Sequence, residues 1–141
     1  MTQRSLRILI VDENAVRAAI LEEGLRVAGD GGDGEAPPEV HHIRQMANLL
    51  ARIGAVDPDV ILIDLENPSR DTHEQMFQVS RLARRPIAMF VDKSDSATVQ
   101  AAIDAGVSAY VVDGLRKERV KSILDVTMSR FHAFDRLQCE L

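Results

Sequence analysis

Apolar and polar positions alternate in blocks along the chain, and the blocks predict strands and helices in turn. Four short aliphatic runs, at 6–11, 60–63, 86–91 and 109–112, contain few polar residues, which is typical of buried parallel strands. Weaker strand character at 39–43 predicts an edge strand. Because strands that alternate with helices imply right-handed crossovers, the sequence predicts an α/β fold whose parallel sheet is covered on both faces.

Apolar residues at helical spacing predict an amphipathic helix after each of the first four strands. They are Val16, Ile20, Leu21, Leu25 and Ala28 in the first helix, Met46, Leu49, Leu50 and Ile53 in the second, Met76, Val79 and Leu82 in the third, and Val99, Ala102 and Ile103 in the fourth. Residues 29–38 are rich in Gly, Asp and Pro, and they predict a mobile loop before the edge strand.

The last helical pattern is longer than a helix that only covers a sheet. It begins near Arg116, and its apolar stripe reaches the final residue through Val120, Leu124, Thr127, Phe131, Phe134 and Leu141. An average helix has about 11–12 residues, so the distal half of this one has no sheet to cover. We therefore predict that this half pairs with another chain, as a homodimer.

Net charge and aromatic content limit the partners of the chain. A net charge of −5, one Tyr and no Trp argue against nucleic-acid binding by this chain alone, since such binding needs a basic surface. The apolar runs are far shorter than the roughly 18 residues of a membrane span, so no membrane partner is expected. The first residues lack the apolar stretch of a signal peptide, which predicts a cytoplasmic location.

Acidic residues stand at the ends of two predicted strands. Asp12 and Glu13 follow the first strand and Asp64 ends the third, and the carboxyl ends of parallel strands meet at one edge of a sheet. Converging carboxylates repel one another until a cation or a proton relieves the repulsion, and Mg²⁺ prefers such oxygen ligands. The three acids are therefore candidate Mg²⁺ ligands, and Asp64 is the candidate phosphoryl acceptor. A simpler alternative leaves Asp12 and Glu13 as capping residues of the first helix.

Three segments together resemble the receiver domains of response regulators over nearly the whole chain. They are residues 8–14 (ILIVDEN), 59–64 (DVILID) and 105–112 (AGVSAYVV). The resemblance implies a flavodoxin-like, doubly wound sheet of five strands in the order 2-1-3-4-5. It also implies Asp64 as the phospho-acceptor, Asp12 and Glu13 as metal-binding acids, and a histidine kinase as the phosphoryl donor.

Two positions depart from the receiver pattern. Receivers usually carry Thr or Ser at the end of the fourth strand, where this chain has Val91, and Lys after the fifth, where it has Asp113. Lys93 and Ser94 lie near enough in sequence to replace the missing groups in part, and Asp113 is alternatively only a turn residue. These departures favour a domain that signals through a partner, and the alternative is a receiver that is phosphorylated on Asp64.

A narrower resemblance connects the chain with the ANTAR-type antiterminators of the NasT class. It rests on residues 89–95 (MFVDKSD), 109–115 (AYVVDGL) and 137–141 (LQCEL), and on Arg130 with Phe131. It implies a receiver-like domain at 1–125 and, at 126–141, the start of a coiled-coil linker to an RNA-binding domain that is absent here.

The same resemblance implies partners and a role for the intact protein. These are a nitrate-sensing regulatory protein, RNA bound only by the intact protein, and control of nitrate or nitrite assimilation genes. The interaction surface would include Tyr110, Leu124, Phe131 and Phe134. A third interpretation is a flavodoxin-like binding domain or enzyme that uses the same crevice, although no residue selects a cofactor and no Ser-His-Asp arrangement is evident.

Overall fold

The sheet has the predicted strand order. The computed structural model describes residues 6–29, 38–113 and 115–140, and of residues 27–29 and 134–140 it describes the backbone only. Five parallel strands lie in the order β2-β1-β3-β4-β5, which confirms the order 2-1-3-4-5. Most of the segment predicted as a mobile loop, residues 30–37, lies outside the described residues.

Strands and helices alternate from one end of the described chain to the other. The strands are β1 (Arg7–Asp12), β2 (Glu39–Ile43), β3 (Val60–Glu66), β4 (Ile87–Val91) and β5 (Ala109–Val112). The helices are α1 (Ala15–Gly29), α2 (Leu49–Val56), α3 (Arg70–Ala83), α4 (Ser96–Asp104) and α5 (Lys117–Glu140). Among the described residues, no helix combines the length and the apolar character needed to cross a membrane.

Helices bury both faces of the sheet, because successive strand residues point to opposite sides. One face, covered by α2, α3 and α4, carries Leu9, Val11, Ile61, Ile63, Ile87 and Met89. The other, covered by α1 and α5, carries Ile8, Ile10, Val60, Leu62, Ala88 and Phe90. The core therefore consists of two apolar layers, one on each side of the sheet.

The buried stripe of α1 is narrower than the sequence predicts. Its buried apolar residues are Ala18, Leu21 and Leu25. Val16, which the sequence assigns to the stripe, is 71% exposed. At about 100° per residue it stands roughly 200° around the helix from Ala18, so it cannot share that buried face. Leu82 and Ile103 are also exposed. An apolar residue therefore does not by itself identify the buried side of a helix.

Helix α5 packs on the domain beyond the predicted boundary at 125/126. Val120, Leu124 and Thr127 are buried, and Met128 packs against the same core layer. The Thr127 hydroxyl donates to the Ile123 carbonyl at 2.6 Å. Leu124 is therefore part of the domain's own core and is not available to a second copy, contrary to the interaction surface expected from the sequence. The division into 1–125 and 126–141 remains a prediction.

Helices α1 and α5 approach so closely at Gly24 that a larger residue should destabilise the domain. A Cβ there would lie 2.7 Å from the Lys117 carbonyl oxygen and 2.8 Å from the Val120 Cβ. We expect Gly24→Ala to lower the free energy of unfolding by about 1–3 kcal/mol, as overpacking does, in urea denaturation. Gly54→Ala is the matched control, because nothing lies within 4 Å of its Cβ. An unchanged stability of the Gly24 variant would contradict this close packing.

Candidate functional site

The first and third strands bring two acids together at the carboxyl edge of the sheet. Asp12 and Asp64 are register partners on β1 and β3, and each is only 2% exposed. Both occupy strand positions on the face that α1 and α5 cover. Glu13 is exposed at the rim of a cavity of about 540 Å³ that both aspartates also line. The structure thus brings two of the three predicted acids into a buried pair and leaves the third in solvent.

A bulge at the end of β3 adds another acid to this region. The pairing with β4 shifts register between Asp64 and Glu66, and Glu66 has a left-handed backbone with φ of 58°. The Glu66 carboxylate accepts a hydrogen bond from the Asn14 side-chain amide at 2.5 Å. The bulge therefore turns Glu66 toward the start of α1.

Arg17 reaches the acidic pair from the beginning of α1. Its Nε and Nη2 donate to the two oxygens of Asp64 at 2.5 and 2.8 Å, which is a bidentate pair. The same guanidinium lies 3.4 Å from Glu66 and 3.2 Å from Asp92, with 19% of the Arg17 side chain exposed. The hydrogen bonds to Asp64 raise the pKa of Arg17 further above its ordinary value. One permanent cation thus contacts three carboxylates.

Asn14 fixes the start of the helix that carries this cation. Its side-chain oxygen accepts the backbone N–H groups of Val16 at 2.9 Å and Arg17 at 3.3 Å, as a capping residue does. The backbone N–H of Asn14 donates to Asp12 Oδ1 at 2.9 Å. The turn between β1 and α1 is therefore tied to the acidic pair itself.

Asp12 is the acid whose charge is least well compensated. Its Oδ2 is buried and has no hydrogen-bond partner among the described residues. Burial raises the pKa of Asp12 from 3.8 to about 7, and the neighbouring Asp64 adds to the rise. A buried carboxylate with one oxygen unpartnered is unfavourable, so Asp12 takes up a proton far more readily than an exposed aspartate.

The two departures from the receiver pattern lie at adjacent strand ends. Val91 is buried at the end of β4 and pairs with Val112 of β5. Asp113 is exposed, has a φ of 53°, and donates its backbone N–H to the Val91 carbonyl at 2.8 Å. Its geometry is that of a turn residue, which was the simpler alternative for this position.

Lys93 and Ser94 line a second cavity, of about 880 Å³, between α3 and α4. Neither lines the acidic cavity described above. The Ser94 hydroxyl is 3.1 Å from the Tyr110 hydroxyl, which in turn is 3.0 Å from His73 Nε2. Burial lowers the pKa of His73.

The predicted interaction residues lie in different surroundings. Tyr110 is half-buried within the network of Ser94 and His73, and Phe131 is half-buried on α5. The side chain of Phe134 lies outside the described residues.

Sequence reasoning did not select Arg17, Glu66 or Asp92. Asp92 directly follows β4, so the strand-end rule that selected Asp64 also applies to it. Arg17 stands four residues before the buried Leu21, on the same side of α1, and this spacing directs it toward the edge of the sheet. Glu66 reaches the site through the bulge, for which the sequence gives no clear signal.

Five parallel strands in this order, each followed by a helix, form the CheY-like receiver fold. A receiver domain from Methanospirillum hungatei superimposes with a TM-score of 0.71 at 18% identity, over 92% of this chain and 98% of that one. No protein-family model matches the chain.

Two of the curated proteins to which the sequence is similar are regulators. The chain is 24% identical over 140 residues to the transcriptional regulatory protein PdtaR of Mycobacterium tuberculosis. The aligned region covers 96% of this chain and 62% of PdtaR. It is 27% identical over 125 residues to the two-component response regulator ORR41 of Oryza sativa, over 88% of this chain and 95% of that protein. The chain thus spans less than two thirds of PdtaR.

Receiver domains typically bind Mg²⁺ at the phosphorylation site, but the present arrangement of side chains does not fit that ion. Arg17 holds both oxygens of Asp64, a backbone N–H holds Asp12 Oδ1, and Glu13 points into solvent. In the part of the chain that the structure describes, no three His, Cys, Asp or Glu residues are grouped to hold a metal ion. The Mg²⁺ site predicted from Asp12, Glu13 and Asp64 is therefore not assembled here.

Proposed function

We propose that this chain is the regulatory receiver-type domain of a transcription antiterminator, and that a partner protein rather than phosphorylation of Asp64 sets its state. Receiver domains of response regulators interact with histidine kinases or sensor proteins. In this chain the interaction with another protein would be retained, and partner binding would replace the phosphoryl group as the signal.

The observation that carries the proposal is the chemistry at the ends of β4 and β5. A receiver responds to a phosphoryl group through a hydroxyl after the fourth strand and an ammonium group after the fifth. Here the first position is the buried Val91 and the second is Asp113, whose carboxylate would repel a phosphoryl group. Lys93 and Ser94, the nearest replacements in sequence, line the cavity between α3 and α4 instead.

The antiterminator role rests on the sequence resemblance and on the relatives. PdtaR is named a transcriptional regulatory protein, and its match extends over nearly all of this chain. The resemblance to the NasT class makes a nitrate-sensing protein the first partner to test, and nitrate or nitrite assimilation genes the first targets. RNA binding would belong to a domain beyond this chain. The distal part of α5, including Phe131, is the surface that we propose for a second copy.

A second candidate function is that of a receiver phosphorylated on Asp64. One observation favours it, since Asp64 and Asp12 line an open cavity of about 540 Å³ at the carboxyl edge of the sheet. A small phosphodonor has room to approach there. Phosphorylation would then require Arg17 to release at least one oxygen of Asp64.

Intact-mass measurement after incubation with a small phosphodonor and Mg²⁺ separates the two candidates. We expect the wild-type chain to gain no phosphoryl group, because neither strand end offers a group that would stabilise the aspartyl phosphate. A competent receiver treated in parallel shows that the donor is active. A stoichiometric adduct that Asp64→Asn abolishes would establish the second candidate and overturn the first.

A further inference from the structure

We propose that Arg17 is the resident cation of the acidic site, and that it competes with divalent cations for the same carboxylates. In this chain the guanidinium performs the charge neutralisation that a metal ion performs in a typical receiver. The inference deepens the proposed function, on which it rests for the meaning of the site, because it gives a reason why the domain has no need of a metal.

The contacts of Arg17 resemble those of a neutralising ion more than those of a surface ion pair. The guanidinium takes both oxygens of Asp64, whose side chain is fully buried, and it also lies within 3.4 Å of Glu66 and 3.2 Å of Asp92. Arg26, on the exposed side of the same helix, pairs with Glu22 at 3.1 Å, and its side chain is 75% exposed. A planar, permanently charged fork suits buried carboxylates better than a flexible ammonium does.

The same contacts bridge three segments of the fold. Arg17 connects α1 with the end of β3 through Asp64 and Glu66, and with the segment after β4 through Asp92. The backbone N–H of Asp92 donates to the Glu66 carbonyl at 2.7 Å, so a backbone hydrogen bond also holds Glu66 and Asp92 together. Arg17 thereby joins three segments of the fold at the acidic site.

A divalent cation and Arg17 cannot both be well accommodated. A metal ion bound to Asp64 would lie next to the Arg17 guanidinium. Two neighbouring cations repel each other strongly in a buried site. One of them must withdraw. Removing the guanidinium frees both Asp64 oxygens beside the unpartnered Oδ2 of Asp12, which recreates an acidic, metal-accepting pair.

Titration with Mg²⁺, followed by amide NMR signals and thermal unfolding, tests the competition. For the wild type, we expect no change at residues 12–17 and 64–66 and no change in Tm up to about 10 mM Mg²⁺. For Arg17→Gln, we expect saturable shifts at those residues and a rise in Tm of roughly 3–6 °C at the same concentration. Asp64→Asn in the Arg17→Gln background should abolish the response.

Arg26→Gln is the matched control, since it removes the same group from the same helix at an exposed pair. It should behave as the wild type does. If Arg17→Gln does not fold, Arg17→Lys replaces it, because an ammonium cannot hold both Asp64 oxygens in the bidentate geometry and should permit a partial response to Mg²⁺.

Two results would overturn the inference. One is Mg²⁺ binding to the wild type at these residues with an affinity equal to that of the Arg17 variant. The other is a folded Arg17 variant that gains no response. The phosphodonor assay tests the proposed function separately, because it reports an adduct on Asp64 and not the affinity of the site for Mg²⁺.

Discussion

Replacing Arg17 by Gln is expected to lower the free energy of unfolding by about 3–5 kcal/mol at neutral pH in metal-free buffer. The substitution removes the bidentate partner of Asp64, whose side chain has no exposed area, and leaves that carboxylate beside Asp12. A buried charge that loses its partner retains its desolvation penalty, so the loss exceeds the strength of an exposed pair. Urea denaturation monitored by circular dichroism measures the change.

A double-mutant cycle assigns this loss to the pair. Asp64→Asn removes the charge that Arg17 compensates, so the double variant should recover much of the stability that Arg17→Gln loses. We expect a coupling energy of about 2–3 kcal/mol. The control cycle uses Arg26 with Glu22, an exposed i,i+4 pair for which about 0.3–0.5 kcal/mol is typical. Equal coupling in the two cycles would show that the Arg17 pair has no special role.

The strands could be predicted from the sequence because their signal is local. A buried parallel strand is a short aliphatic run, and such runs at β1 and β3 ended at the acids that the structure brings into register, Asp12 and Asp64. The order of the strands could not be predicted in this way, because the residues of one strand do not determine which strands lie beside it. That order came from the resemblance to receivers, and the structure confirms it.

The cation at the site was missed because its position depends on how α1 is rotated on the sheet. If Val16 is assigned to the apolar stripe, the exposed side of the first turn of α1 is placed against the sheet. The close contact of Gly24 with α5 helps to set the true rotation, and this contact joins residues far apart in sequence. Counting back four residues from Leu21 leads to Arg17, so the pattern contains the signal once the buried side is known.

The placement of Glu13 shows the limit of the strand-end rule. The rule identifies which acids lie at the edge of the sheet, but not the direction of each side chain. Successive residues of an extended chain point to opposite sides, so Asp12 and Glu13 cannot both face Asp64 if the strand geometry continues through them. Asp12 is buried and Glu13 is exposed, as that alternation requires.

Replacing Asp12 by Asn is expected to stabilise the domain at pH 8 by about 2–4 kcal/mol and to have little effect near pH 4. Burial raises the pKa of Asp12 from 3.8 to about 7 in the folded chain, so between these values the folded state binds more protons than the unfolded state. The stability contributed by the protonated group is complete below pH 4 and is lost as the pH rises through 7. Urea denaturation at several pH values measures the difference.

The shape of this pH dependence distinguishes the buried acid from a general effect of charge. Asp125→Asn is the control, because Asp125 is exposed on α5 and pairs with Lys121 across one helical turn. Its effect should be small at every pH in this window. A stabilisation by Asp12→Asn that is equally large at pH 4 and pH 8 would mean that shape, and not the uncompensated charge, limits stability at this position. A loss of stability at pH 8 would show that the charged form of Asp12 is favourable, because its Oδ2 would then need a compensating group in the folded protein.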